Sequence, residues 1–183
     1  MPHPELGPAL LRTARTTLDR AFASAVGESA RVAALDAPGA TFVTLTQHGE
    51  LRGCVGTLDA HRSLQQDVEE NTLSAAFRDP RFEPLAAFEL AHTRIEVSLL
   101  TPPVALPVDG EDDLVQQLRP GVDGVVLKWR GQRATFLPQV WEKLADPRDF
   151  VQALKRKAGL DPAYWDDDVA VSRYLVTKFH EPT

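Results

Sequence analysis

The sequence predicts an α+β fold in which a largely antiparallel sheet carries packed helices. Three observations point there. Apolar residues recur at helical spacing in well-bounded segments, β-rich runs come in pairs joined by tight glycine turns, and hairpins stand where regular strand–helix–strand crossovers would be. The expected order is αββαβ(α)ββαβ, in a single domain over residues 1–183.

From Pro8 onward, Leu10, Leu11, Ala14, Leu18, Ala21, Phe22 and Ala25 fall on one side of a 3.6-residue period, and Gly27 is placed to end the helix. After the turn at Ala37-Pro38-Gly39, "TFVTLTQ" and "LRGCVGTL" flank "HGE" and read as a hairpin. Ser63 with Gln66 has capping-box spacing, so a helix should run to about Phe77 and stop before Asp79-Pro80. "RIEVSLL" alternates as a half-buried strand, and "TPPVALP" interrupts it because proline cannot donate to a ladder. A short acidic helix is expected over 111–118. "GVVLKWRGQRATFL" predicts a second hairpin turning at Gly131-Gln132, a Gly-first pair suited to type II′. Asp146-Pro147 supplies an N-cap and a proline at the first helical position, Phe150, Val151 and Leu154 mark the buried face, and Gly159 ends the helix. The chain then closes on one strand, "VAVSRYLVTKF", with Val169, Val171, Leu175 and Phe179 on one side.

Composition narrows the function. The 183 residues are 43% apolar and 25% charged with a net charge of −6, so the uniform basic field that drives phosphate-backbone binding is missing and no nucleic acid is expected. Lys155-Arg156-Lys157 is the only basic run, and on a helix it reads as a solvated face. The single cysteine excludes an internal disulfide and fits a reducing cytoplasm. No stretch has the length and apolarity of a membrane span, and the first residues lack a secretory leader's charge pattern. The protein is therefore expected to be cytoplasmic and soluble. There is no glycine-rich phosphate loop, iron–sulfur cysteine set or zinc spacing, so no cofactor and no metal are expected.

That cysteine, Cys54, lies in "HGELRGCVGTLDA". Strand alternation puts Arg52, Cys54 and Gly56 on one face and Gly53 on the other. A guanidinium beside the thiol would favour the thiolate, and the bare Gly56 would leave room for a ligand. The competing reading is a small side chain filling core, with Arg52 paired to an acidic neighbour. His61, seven residues on, is a weaker candidate for a base than Arg52 is for a thiolate partner, and His48 sits at the hairpin turn. Asn71 falls on the apolar stripe of Leu64, Val68 and Ala75, so it either ties its helix to a loop or lines a polar cleft. In "RDPRF", Asp79 and Arg81 flank a helix stop and make a rigid turn with a local ion pair. Trp165 with Asp166, Asp167 and Asp168 reads as a solvated turn, since successive carboxylates do not converge on a cation.

The ordered segments "FVTLTQHGELRGCVGTL", "NTLSAAFRDPRFEPL", "IEVSLLTPP", "GVVLKWRGQRATFLPQVW", "FVQALKRKAGL", "YW" and "RYLVTKF" resemble the AMMECR domain family, from about Leu6 to His180. Within them "LRGCVG" is highly specific, although Val55 stands where isoleucine is more usual and Glu83 where proline is expected. The resemblance implies two unequal lobes built on antiparallel sheets, with "LRGCVG" near a cleft between them. It extends to the prokaryotic branch called AmmeMemoRadiSam system protein A, which implies a Memo-like protein and a radical SAM enzyme as partners but no established reaction. By position it marks Leu51, Arg52, Gly53, Cys54, Val55 and Gly56, and in a second block Asn71, Asp79, Arg81 and Phe82.

Two functions compete. In the first, a small-molecule enzyme or modifying protein uses Cys54 as nucleophile or redox thiol and Arg52 as thiolate stabiliser or anion clamp. Asn71 orients an unidentified small molecule there, and Gly53, Gly56, Asp79 and Arg81 complete the cleft. In the second, a binding or adaptor module holds Cys54 for its size alone.

Overall fold

A computed structural model of the chain describes residues 5–22 and 32–182. It contains helices and two four-stranded antiparallel sheets, as an α+β fold requires, and divides into two compact units. The first comprises Met1–Leu100 with Thr177–Thr183, the second Thr101–Val176.

The first unit holds α1 (Leu6–Ala21), β1 (Ala40–Gln47), β2 (Glu50–Gly56), α2 (Leu64–Phe77), β3 (Thr93–Leu100) and β8 (Val176–His180). Its sheet has the order β2-β1-β3-β8. Leu10, Ala14 and Leu18 of α1 and Val68 and Ala75 of α2 cover Val43, Leu45, Ile95 and Val97 on one side of that sheet. Alternation therefore sends Phe42, Thr44, Glu96 and Ser98 to the other side. The helix α1 is capped at Phe22, and the expected extension through Ala25 to Gly27 lies outside the described residues. Ser63 caps α2 by accepting the Gln66 amide at 3.3 Å. His48 and Gly49 both have positive φ, 51° and 84°, so a two-residue turn of type I′ joins β1 to β2.

The second unit holds β4 (Val104–Ala105), α3 (Glu111–Gln117), β5 (Gly124–Trp129), β6 (Gln132–Phe136), α4 (Pro147–Lys157) and β7 (Ala170–Tyr174), with sheet order β4-β7-β5-β6. Trp141 and Phe150 stack at 3.7 Å between ring centroids, and Phe150 meets Phe136 edge-on at 5.3 Å. Asp146 caps α4 by accepting the amides of Arg148 and Asp149, and Gly159 follows it with φ of 83°.

Several expectations are corrected. The second hairpin turns at Arg130-Gly131, with φ of 45° and 83°, one residue earlier than a type II′ turn at Gly131-Gln132 would place it. The segment after Pro102-Pro103 is not a bare interruption: it forms β4, at the sheet edge where preceding prolines cost no ladder bond. The closing strand is two strands. Val171 is buried in the second unit's core, the chain breaks pairing at the exposed Leu175, and Phe179 packs against the first unit's core. Lys155 is not on a solvated face. It is fully buried, where its ammonium donates to the Glu111 carboxylate and to the Tyr164 carbonyl at 3.2 Å and lies 5.9 Å from the Trp165 ring centre.

Candidate functional site

The strand β2 is an edge of the first sheet. With a two-residue turn at His48-Gly49, unbroken pairing would set Cys54 opposite Val43, on the core side. Instead the register slips by one. Thr46 faces Leu51 and Leu45 faces Gly53, so Arg52 is an extra residue without a cross-strand counterpart. Beyond this bulge Cys54 pairs with Thr44 and takes the face away from the helices, because a one-residue shift exchanges the two sides of a strand. The sulfur is half-buried there and accepts a hydrogen bond from Thr44 Oγ1 at 3.3 Å.

An edge strand leaves main-chain groups unpaired, and at Cys54 the turn after α2 satisfies them. The helix stops at Arg78 because Asp79-Pro80 follows. The buried Asp79 carboxylate then accepts the Cys54 amide at 2.9 Å, while Arg81 Nη2 donates to the Cys54 carbonyl at 3.3 Å. Asp79 and Arg81 bond each other through Nε and Nη2 at 3.0 and 2.7 Å. Arg81's hydrogen bonds, with help from the Cys54 amide, hold the Asp79 carboxyl far below the usual carboxylate range. Arg81 is in turn more firmly protonated, chiefly through Asp79 and further through the field of Cys54.

The expected partnership of Arg52 with the thiol is replaced by an ion pair. Arg52 Nε and Nη2 donate to Glu89 at 2.8 and 3.0 Å. Glu89 also accepts from Gln47 and from the Ala86 amide, and these donors, Arg52 first, depress its pKa to about 2. The Phe82 ring lies against both cations, 5.9 Å from Arg52 and 5.5 Å from Arg81. Arg81 is thus the guanidinium in contact with the cysteine residue, and it is 54% exposed.

The glycines serve packing. A Cβ on Gly53 would stand 2.2 Å from the Ala75 carbonyl oxygen, so this glycine lets α2 approach the strand. At Gly56 the expected open space is filled: the Phe42 ring comes within 2.1 Å of where a Cβ would lie. Asn71 ties its helix to neighbouring segments. Its amide donates to the Thr41 carbonyl, Thr57 Oγ1 and the fully buried Asp67, which also accepts from the Thr41 amide and from Arg62 Nε, both at 2.8 Å. His61 is exposed and bonds the Asp59 carbonyl, and His48 stacks on His92. Neither bonds the sulfur.

The geometry therefore joins Cys54, Asp79, Arg81 and, through Phe82, Arg52, while Asn71 and His61 lie in other networks. Sequence reasoning missed Thr44 and Glu89. Thr44 could have been found only by foreseeing the bulge. Among the described residues no group of three or more His, Cys, Asp or Glu side chains is arranged to hold a metal. No helix among them is long and apolar enough to cross a membrane.

Fold and site define a class: an α+β protein of two antiparallel sheets with a clamped, outward-facing cysteine on an edge strand. The AMMECR1 family model matches residues 11–179, and the chain belongs to that family. It is 39% identical over 142 residues to a protein of Methanothermobacter thermautotrophicus, covering 76% of this chain and 74% of that one. It is 37% identical over 133 residues to the Thermoplasma acidophilum protein Ta0236, covering 72% of this chain but 64% of that one. The crystal structure of the uncharacterized protein PH0010 from Pyrococcus horikoshii has a similar fold, with a TM-score of 0.81 at 27% identity over 97% of this chain and 92% of that one.

Proposed function

We propose that the protein modifies a small molecule, with Cys54 Sγ as the reacting atom. The observation that carries this reading is the bulge at Arg52, which leaves a thiol on the outer face where turn geometry alone would bury it. A cysteine kept only for its size has no need of that face. Thr44 orients the sulfur, the Asp79–Arg81 pair fixes the backbone beneath it, and Arg81 with the Phe82 ring suits a ligand that combines an anionic group with a flat apolar part. Arg52 and Glu89 act as support for Phe82. The thiol gives its proton to solvent and the sulfur bonds to an electrophilic carbon of the ligand as nucleophile, while a leaving group departs from that carbon with the bonding electron pair.

Intact-mass analysis of the folded protein after iodoacetamide treatment tests this. A single adduct on Cys54 under native conditions is expected, slowed by millimolar inorganic phosphate in the parent protein but not in Arg81→Ala. A thiol that reacts only after denaturation overturns the reading.

A second reading, that of an adaptor, is favoured by Phe88 and Leu51, which are 82% and 43% exposed. In it the protein belongs to the AmmeMemoRadiSam system protein A branch and docks on a Memo-like protein or a radical SAM enzyme in the cytoplasm. Phe88→Asp abolishes co-purification with either partner, and Cys54→Ala leaves it intact. Both readings treat the two units as sublobes of one AMMECR domain, since the family match runs through both.

A further inference from the structure

Of the four histidines among the described residues, His61 bonds its own loop and His180 pairs with Glu96 at 3.1 Å. The other two, His48 and His92, have only each other: their rings lie 5.6 Å apart between centroids at 30°, and neither makes a hydrogen bond or ion pair among the described residues. They come from distant segments, the β1–β2 turn and the end of the 3-10 helix Ala87–His92. His48 occupies the first central position of a type I′ turn at φ 51°, where glycine or asparagine is the less strained choice. An imidazole is thus held in a costly conformation at the one place where it meets a second imidazole, and both rings are exposed.

We propose that His48 and His92 form a binding site for a divalent transition-metal ion. Neutral imidazole nitrogen is the commonest protein ligand for such ions. With a metal–nitrogen bond of about 2.0–2.1 Å and a ring radius of about 1.1 Å, two imidazoles opened at about the tetrahedral angle place their centroids about 5 Å apart. The observed spacing is close to this, and rotation about the broad χ2 wells of two exposed rings brings a nitrogen of each to the ion. Among the described residues no third His, Cys, Asp or Glu side chain joins them. Glu89, one 3-10 turn before His92, is committed to Arg52 and Gln47, so water completes the coordination and the site stays open to an exchangeable ligand. Two imidazoles without thiolate or carboxylate suit Cu²⁺, Ni²⁺ and Zn²⁺ over Mg²⁺ or Ca²⁺. Occupancy would staple the β1–β2 turn to the segment that carries Glu89.

Titration calorimetry of tag-free, chelator-treated protein with NiCl₂ and with ZnCl₂ tests the site. One ion per chain is expected, with an affinity reduced about tenfold or more by His48→Ala and equally by His92→Ala. His61→Ala, which removes an exposed but solitary ring, leaves it unchanged. Repeating the titration in Cys54→Ala separates this site from the thiol: binding persists if the histidines are the ligands. Binding that is lost in Cys54→Ala, or is equal in the parent and both histidine variants, overturns the proposal.

Discussion

The molecule contains two hairpins with the same kind of turn and different fates. Both β1–β2 and β5–β6 turn on a non-glycine residue followed by glycine, each at positive φ. The second hairpin keeps an unbroken register from Trp129↔Gln132 to Val125↔Phe136, and its buried residues Val125, Leu127 and Ala134 rest on an aromatic core. The first slips at Arg52 and adds polar clamps to the apolar core under Val43 and Leu45, with Asp67 beneath β1, Asp79 at the edge of β2 and Glu89 on the bulge residue itself. An unbroken ladder assigns its faces by counting from the turn. A bulged one can carry a charged residue and still present its cysteine outward, but it needs buried carboxylates to satisfy the groups that the slip and the edge leave open.

Substitutions can break this contrast. The largest effect is expected where the second hairpin loses its support: Phe150→Ala empties the space against Trp141 and Phe136 and costs about 3–5 kcal/mol in urea unfolding. Next, Asp67→Ala strips the polar support of β1, leaving the Thr41 amide without its buried acceptor, removing one of Asn71's acceptors and leaving Arg62 without its counter-ion. It costs about 3 kcal/mol. Gly53→Ala drives a methyl group into the Ala75 carbonyl and costs about 1–3 kcal/mol by overpacking, a penalty that an outward-facing Gln132→Ala in the second hairpin does not incur.

Two smaller tests sharpen it. Asp79→Asn weakens the clamp, costs about 1–2 kcal/mol and accelerates deuterium exchange at the Cys54 amide while the β5 amides keep their protection. Glu89 gives the finest probe. Its pKa is lowered to about 2 in the folded protein against about 4.3 unfolded, so its contribution is fully present above the unfolded value and is lost as pH falls toward 2. The stability difference between the parent and Glu89→Gln should therefore shrink over that window and stay constant from pH 5 to 7.

The same contrast explains what could be read from the sequence. Helix boundaries at Ser63, Asp146 and Gly159 were legible because capping is local chemistry. The hairpins were legible from β-branched runs around glycine turns, although the second was placed a residue late because Arg130, not Gly131, opens its turn. The break at Leu175 was hidden because its two strands continue one alternating pattern into different sheets. Arg52 shows the limit for the site. Its spacing from Cys54 was visible, but its true partner Glu89 lies 37 positions away and nothing local announces the pair. Lys155 misled for the same reason, since its burial depends on Glu111 and Trp165.

The division of the last strand has a consequence for synthesis on the ribosome. The second unit is complete in sequence at Val176, whereas the first still lacks the strand that carries Phe179 and the Glu181 carboxylate that accepts from Arg15 of α1 and from the Ile95 amide. Translation therefore makes the first unit wait for β8 after the second unit's residues have been made, and the edge of β3 that β8 covers stays unpaired until then. A chain cut after Val176 would carry a finished second unit attached to an unfinished first one, and quality control would meet the fault at the exposed edge of β3, far in sequence from the cut.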